Sequence, residues 1–169
     1  MKDMIKFDFK SSVSIIGARN SGKTRLALEL KTKLNNVLYI PNERDISFEK
    51  INGLLEDEYS YVIFDDVLTF LEDFEKNFVI GYCQKRNINI INITTLSEEL
   101  LLLPNIIVLE NNQVVLEGTK EEVLSNEKMF SKLGIKRPFI VQLSSELKDY
   151  NVINKLYFDN EELVDELWK

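Results

Sequence analysis

Apolar residues fall into short runs separated by stretches with a different spacing. The runs Val13–Ile16, Val37–Ile40, Tyr61–Phe64, Ile88–Ile93 and Ile106–Leu109 have the length and β-branched content of buried strands. Leu26, Leu30 and Leu34 recur at every fourth position and predict a helix over 23–34, closed by the turn-prone Asn35-Asn36. A weak helix interrupted by Gly53 is expected over Ile46–Leu55, a long one over Leu68–Arg86 and a short Leu-rich one over Ser97–Leu102. Met4–Phe9 alternates apolar and charged residues, which predicts a half-exposed strand leading into Val13. Asn111-Asn112 predicts a hairpin turn into Val114–Leu116. Past Gly118 the pattern turns helical, over Lys120–Ser125, Glu127–Leu133, Pro138–Asp149 and Asn160–Trp168. Strands alternating with helices predict an α/β three-layer sandwich with a mostly parallel sheet, followed by a small C-terminal helical extension. The expected units are residues 1–118 and 119–169, with no repeat or Pro/Ser-rich linker between them.

One junction carries chemistry. Val13-Ser-Ile-Ile-Gly17-Ala-Arg-Asn-Ser-Gly22-Lys23-Thr24 is an apolar run followed by G-x-x-x-x-G-K-T, and a helical segment begins at once. That strand–loop–helix context is the one a Walker A phosphate loop requires. Gly17 and Gly22 let the backbone curl so that the N–H groups of Ala18, Arg19, Asn20, Ser21 and their neighbours through Arg25 point at an anion. The helix that opens there favours negative charge at its N-terminus. Lys23 is expected to reach the β and γ phosphates of a nucleotide, and the Thr24 hydroxyl to ligate Mg²⁺. The expected fold is therefore a P-loop NTPase.

Tyr61-Val-Ile-Phe-Asp65-Asp66 has the form of the complementary Walker B, an apolar strand delivering a carboxylate to the C-terminal edge of the sheet, where ligands of such sheets gather. Asp65 is expected beside the metal with Thr24. Asp66 either activates an attacking water or caps the following helix. The segment Pro41-Asn42-Glu43-Arg44 that ends the second apolar run reads as a polar loop after a strand.

Bulk properties narrow the field. At 169 residues, 44% hydrophobic and 29% charged, the chain reads as a globular domain able to bury a core. A net charge of −7 argues against a broad nucleic-acid footprint, so no nucleic-acid partner is expected. No run is long enough to span a bilayer and the first residues lack a signal-peptide core, which makes the cytoplasm the expected location, with attachment at a membrane periphery as a variant. The absence of histidine excludes a histidine base, and the lone Cys83 reads as a small buried apolar residue.

The later segments add a family resemblance. Ile91-Asn-Ile-Thr94-Thr95-Leu-Ser-Glu-Glu and Ile106-Ile-Val-Leu-Glu-Asn-Asn-Gln-Val-Val-Leu-Glu-Gly118-Thr are similar to the switch strand and closing hairpin of ABC-type ATPases. Leu133-Gly-Ile-Lys-Arg-Pro138-Phe-Ile-Val-Gln-Leu-Ser-Ser-Glu-Leu resembles the C-terminal extension of energy-coupling-factor (ECF) transporter ATPases. The likeness covers residues 11–34 and roughly 60–168. It implies an ATP-binding subunit with Mg²⁺, a homodimer or heterodimer formed through the C-terminal helices, and a membrane transporter subunit as partner.

The departures from that pattern matter as much. The family carries a helical subdomain with its signature motif between the Walker motifs, yet Thr24 and Asp65 are only about 40 residues apart. The family's catalytic glutamate falls on Asp66 and its switch histidine on Thr95, which holds no proton at neutral pH. The resemblance thus implies a reduced ABC relative that binds Mg-ATP, with weak or absent intrinsic hydrolysis. The loop after the second strand supplies a γ-phosphate-sensing glutamine in that family and a catalytic glutamate in recombinase-type P-loop ATPases, roles the resemblance would give to Asn42 or Glu43 unless the loop is merely polar. Catalysis, if retained, rests on Asp66 or Glu43, and nucleotide contact on Gly17–Arg25 and Thr95. A small P-loop kinase or a recombinase-like ATPase is the alternative. Phe7 and Phe9 are available to stack on adenine, but core packing explains them equally. Phe139, Leu143 and Leu147 predict the apolar face of their helix.

Overall fold

The computed structural model describes residues 7–43 and 46–169. The apolar runs form six strands, β1 (Val13–Gly17), β2 (Val37–Pro41), β3 (Tyr61–Asp65), β4 (Asn89–Thr94), β5 (Asn105–Glu110) and β6 (Gln113–Thr119). They lie in the order β2-β3-β4-β1-β5-β6. All neighbours are parallel except the β5–β6 hairpin. β1 therefore sits centrally, buried on both faces, and releases its phosphate-loop sequence at the C-terminal edge of the sheet.

Alternate residues of β1 feed two cores. Val13 and Ile15 face α1 (Lys23–Lys33), whose Leu26, Ala27 and Leu30 are buried against Ile63, Ile91, Ile93 and Ile107. Ser14 and Ile16 face the other way. That side is covered at the β2–β4 end by α2 (Phe48–Leu54) and α3 (Asp73–Lys85). At the β1–β5 end it is covered by α4 (Lys120–Leu124), α5 (Glu127–Leu133), α6 (Phe139–Asp149) and α7 (Asn160–Leu167). The C-terminal helices thus share an apolar cluster with the sheet, joining Ile16, Ile106 and Val108 to Phe130, Ile140 and Leu163. Helices on both faces of a mostly parallel sheet make the α/β sandwich expected from the pattern.

Several boundaries differ from expectation, each for a local reason. The segment 68–86 is not one helix. A 3₁₀ turn over Leu68–Phe70 ends at Leu71, whose ψ of 146° is extended, and α3 starts afresh after Glu72. The Glu72 side chain accepts from the backbone of Glu75 while the Glu75 carboxylate accepts from the Glu72 N–H, a capping box that outcompetes continuation. Ser97–Leu101 is likewise 3₁₀ rather than α. α2 runs through Gly53 instead of stopping there. The buried stripe of α6 is Ile140, Val141 and Ser144, leaving Phe139 66% exposed, so Phe139 does not belong to the predicted apolar face. Half of the predicted strand Met4–Phe9, residues 4–6, lies outside the described residues, and Phe7–Phe9 is not in a strand. Phe9 is a core residue in edge contact with Phe7, the ring centroids 5.2 Å apart. Cys83 is fully buried on α3, and that burial pushes its thiol up to about 11.

Candidate functional site

The loop between β1 and α1 owes its shape to two glycines under different constraints. A Cβ at Gly17 would lie 2.3 Å from Ser21 Oγ and 2.5 Å from the Leu109 carbonyl, so the strand can leave the sheet there only without a side chain. Gly22 takes φ +100°, and a Cβ on it would lie 2.4 Å from Asn112 Oδ1. Asn112 stands in the β5–β6 turn, where Asn111 and Asn112 both adopt positive φ. Its N–H donates to the Ser21 carbonyl at 2.8 Å, so the hairpin props the loop from behind.

Lys23, buried at the first position of α1, folds back across this loop. Its Nζ donates to the carbonyls of Gly17 (2.6 Å) and Ala18 (3.0 Å). Burial lowers its pKa, while the charges of Asp66 and Asp65 act to hold the proton on. Thr24 Oγ1 donates to Asp65 Oδ1 at 3.3 Å, and the Tyr39 hydroxyl of β2 donates to Asp65 Oδ2 at 2.9 Å. The two predicted Walker segments therefore meet, with the Asp65 carboxylate held between a loop threonine and a neighbouring-strand tyrosine.

Asp66 follows at φ +54°, its N–H donating to the Ile93 carbonyl at 2.9 Å. This turn aims it into a cavity of about 390 Å³ lined by Arg19–Arg25, Asp66 and Thr95. It is not a helix cap, because the next turn begins after Val67 with no side-chain cap bond. Its Oδ1 is buried without a hydrogen-bond partner among the described residues, as is Ser21 Oγ. Burial raises its pKa, with Asp65 adding to that and Lys23 and the Thr95 backbone opposing it.

The cavity thus brings together Arg19, Asn20, Ser21, Gly22, Lys23, Thr24, Arg25 and Thr95 of the predicted nucleotide contacts, with Gly17 and Ala18 accepting from Lys23 behind them. Glu43 stands apart. It is exposed, paired with Lys50 at 3.1 Å, and neither it nor Asn42 lines the cavity. Tyr39 and Asn112 had no sequence signal of their own. The Asn-Asn pair marked a hairpin but not its contact with the loop, and Tyr39 reads as an ordinary strand aromatic.

The residues fit an anion with a divalent cation. The curled loop backbone and the start of α1 favour a polyphosphate. A hydroxyl and a carboxylate 3.3 Å apart are the few hard oxygen ligands Mg²⁺ takes from protein when phosphates and water complete its shell. Among the described residues no group of three acidic, histidine or cysteine side chains is placed to hold a metal ion.

The fold is that of the P-loop NTPases. Comparison with known proteins takes this further. Residues 138–169 match the family model described as the energy-coupling factor transporter EcfA1 C-terminal domain. The chain is 30% identical over 139 residues to the energy-coupling factor transporter ATP-binding protein EcfA1 of Mesomycoplasma hyopneumoniae strain J, covering 82% of this chain and 45% of that protein. It is 28% identical over 123 residues to the protein of the same name from Geobacillus kaustophilus, covering 70% and 44%. Among solved structures, a bacterial Atm1-family ABC exporter with ATP bound superimposes with a TM-score of 0.56 over 74% of this chain and 36% of that one, at 10% identity. In sequence the chain is thus similar to ECF transporter ATP-binding subunits, and in fold to an ABC exporter. It spans less than half the length of the curated relatives it matches.

Proposed function

We propose that the chain binds Mg-ATP as the ATP-binding component of an ECF-like transporter, with weak or absent hydrolysis on its own. The observation that carries this reading is the convergence of the loop, Lys23, Thr24 and Asp66 on one cavity, with Asp65 joined to it through Thr24, whose Oγ1 lies 3.3 Å from Asp65 Oδ1. Loop N–H groups and Lys23 would bind the phosphates, and Thr24 and Asp65 would hold Mg²⁺. When bound, Mg²⁺ neutralises charge on the β and γ phosphates. Tyr39 keeps Asp65 oriented by occupying its outer oxygen.

Three features favour slow chemistry. Asp66 is the carboxylate that lines the cavity, one methylene shorter than a glutamate, and would have to orient the attacking water. Thr95, across the cavity, has a hydroxyl that neither gains nor loses a proton near neutral pH. Among the described residues of 42–60 the one helix is the short α2, and so short a segment leaves no space for a signature-bearing subdomain. Glu43, turned toward Lys50, is the weaker catalytic choice.

We read residues 119–169 as an extension used in pairing ATPase subunits, homo- or heterodimeric. Its family match and its exposed Tyr150, Val152, Val164, Leu167 and Trp168 support this. Among the described residues no helix is long and apolar enough to cross a membrane. With the transporter role goes a position at the membrane's cytoplasmic periphery, held there by a partner. Multi-turnover phosphate release from Mg-ATP, run beside Lys23→Ala, tests the reading. Little or no turnover alone, raised when the chain is joined to a membrane complex, is expected. Fast turnover by the isolated chain, or phosphate transfer to a sugar or nucleoside, would contradict it.

A further inference from the structure

The exposed face of α3 does not look like solvent-facing helix. Phe74 and Phe78 are 70% and 54% exposed, with Phe70 just upstream at 58%. Phe78 is packed on its flank, its ring centroid 5.5 Å from Phe48 and 6.4 Å from Tyr82, so it is held outward rather than free to fold over its own helix. At 100° per residue, Phe74, Phe78, Gly81 and Lys85 form one stripe opposite the buried Val79, Ile80 and Cys83. Gly81 weakens the helix by roughly 1 kcal/mol against alanine, yet a Cβ there would meet nothing within 4 Å. No contact within the described chain requires that glycine. It leaves a notch beside two exposed rings.

We propose that this stripe is an interface between two copies of the chain, packed antiparallel about a two-fold axis near Asn77 and Phe78. Self-complementarity argues for a second copy over another partner. A two-fold at that point puts Phe74 of each copy over the Gly81 notch of the other, which also explains why position 81 lacks a side chain. The charges match in the same register. α3 is capped by Glu72, begins with Asp73 and ends with Lys85, so antiparallel pairing puts Lys85 of one copy opposite Phe70 and within about one helical turn of the acidic start of the other, at both ends. The three phenylalanines alone supply roughly 700 Å² of ring surface across such a pair. The flanking polar side chains carry it toward the ~1,200 Å² lower bound of stable interfaces, the size of a reversible contact. The stripe lies over the β2–β4 end of the sheet, away from the cluster that seats the C-terminal helices, and its pairing does not depend on nucleotide.

Sedimentation velocity of the full chain without nucleotide tests this. A monomer–dimer equilibrium is expected below about 100 μM, with Phe78→Glu weakening it about 30-fold or more. Lys85→Glu and Asp73→Lys should each dimerise poorly alone and recover as a mixture, because every charge then lies near its complement. Independently of whether Phe78→Glu folds, Asn77→Cys sits beside the axis and should form a disulfide-linked dimer under mild oxidation, whereas Gln113→Cys on the far edge should not. A chain that stays monomeric overturns the proposal. So does a dimer indifferent to Phe78→Glu but lost with Trp168→Ala, or a monomer whose rings bind lipid vesicles instead. None of these outcomes bears on whether the phosphate loop binds ATP.

Discussion

The Tyr39 hydroxyl donates to Asp65 Oδ2 at 2.9 Å while Thr24 donates to Oδ1 at 3.3 Å, so one carboxylate links the β2 strand to the phosphate loop. The parallel register makes this possible. Tyr39 pairs with Ile63 and Pro41 with Asp65, which puts the tyrosine on the same face as the aspartate. Burial first, then the Asp65 hydrogen bond, pushes the phenol up to about 12, so it remains a donor throughout the useful pH range. Tyr39→Phe should lower stability by about 1–2 kcal/mol, read from the urea midpoint at unchanged slope. It should also raise the Mg²⁺ concentration needed for half-saturation with ATP several-fold, leaving metal-free binding in EDTA unchanged.

Gly22 is constrained twice over, by its left-handed backbone and by Asn112. Gly22→Ala is expected to cost about 2 kcal/mol or more, combining the αL penalty with displacement of the hairpin turn. Asn112→Ala should recover the steric part only. A double-mutant cycle on thermal or urea unfolding measures it, and strict additivity would mean that the hairpin does not brace the loop.

Asp66 sets a pH signature. Its folded pKa is raised, so the folded state binds the proton more tightly than the unfolded chain, whose reference value is 3.8. The sign follows: the contribution of Asp66 to stability is greatest below 3.8 and declines as pH rises through the raised folded value. Asp66→Asn should therefore raise Tm at pH 7 and flatten the part of the Tm–pH curve that rises on acidification just above pH 4. A variant less stable than wild type at neutral pH would show that the carboxylate is better paired than its buried, unpartnered Oδ1 indicates.

A second polar pair lies inside the sheet–helix core. Glu99 is 2% exposed and accepts from Asn92 Nδ2 at 2.9 Å, yet its Oε1 and Asn92 Oδ1 have no partner among the described residues. An amide in place of the acid offers a donor to Asn92 Oδ1. Glu99→Gln should match or exceed wild-type stability, whereas Glu99→Ala should cost about 2–3 kcal/mol through lost volume and an unsatisfied asparagine. Because Glu99 follows Thr95 by one short turn, the alanine variant should also loosen the Thr95 side of the cavity, visible as faster amide exchange there.

Elements whose causes are local were legible in the sequence. The phosphate loop is specified by a contiguous strand, two glycines, Lys23 and a helix, and the chain folds it as that order implies. Asp65 was reachable because an apolar run ending in acid has a fixed place at the sheet edge. What could not be read depends on residues far apart in the chain. Tyr39 meets Asp65 across 26 positions, and Asn112 reaches the loop only because β5 pairs with β1. Local signals misled where two competed. Helical spacing through 68–86 masked the Glu72–Glu75 box that restarts the helix, and the 139-143-147 spacing put Phe139 on the wrong face.

Equilibrium binding of Mg-ATP to the intact chain, measured by calorimetry beside Lys23→Ala and Thr24→Ala, tests the central claim most directly. One nucleotide should bind per chain, with affinity lost at least 10-fold in Lys23→Ala. Thr24→Ala should abolish the gain that Mg²⁺ gives over EDTA. Binding that is absent in the wild type, or equally strong without Lys23, would contradict the assignment of this cavity as a nucleotide site.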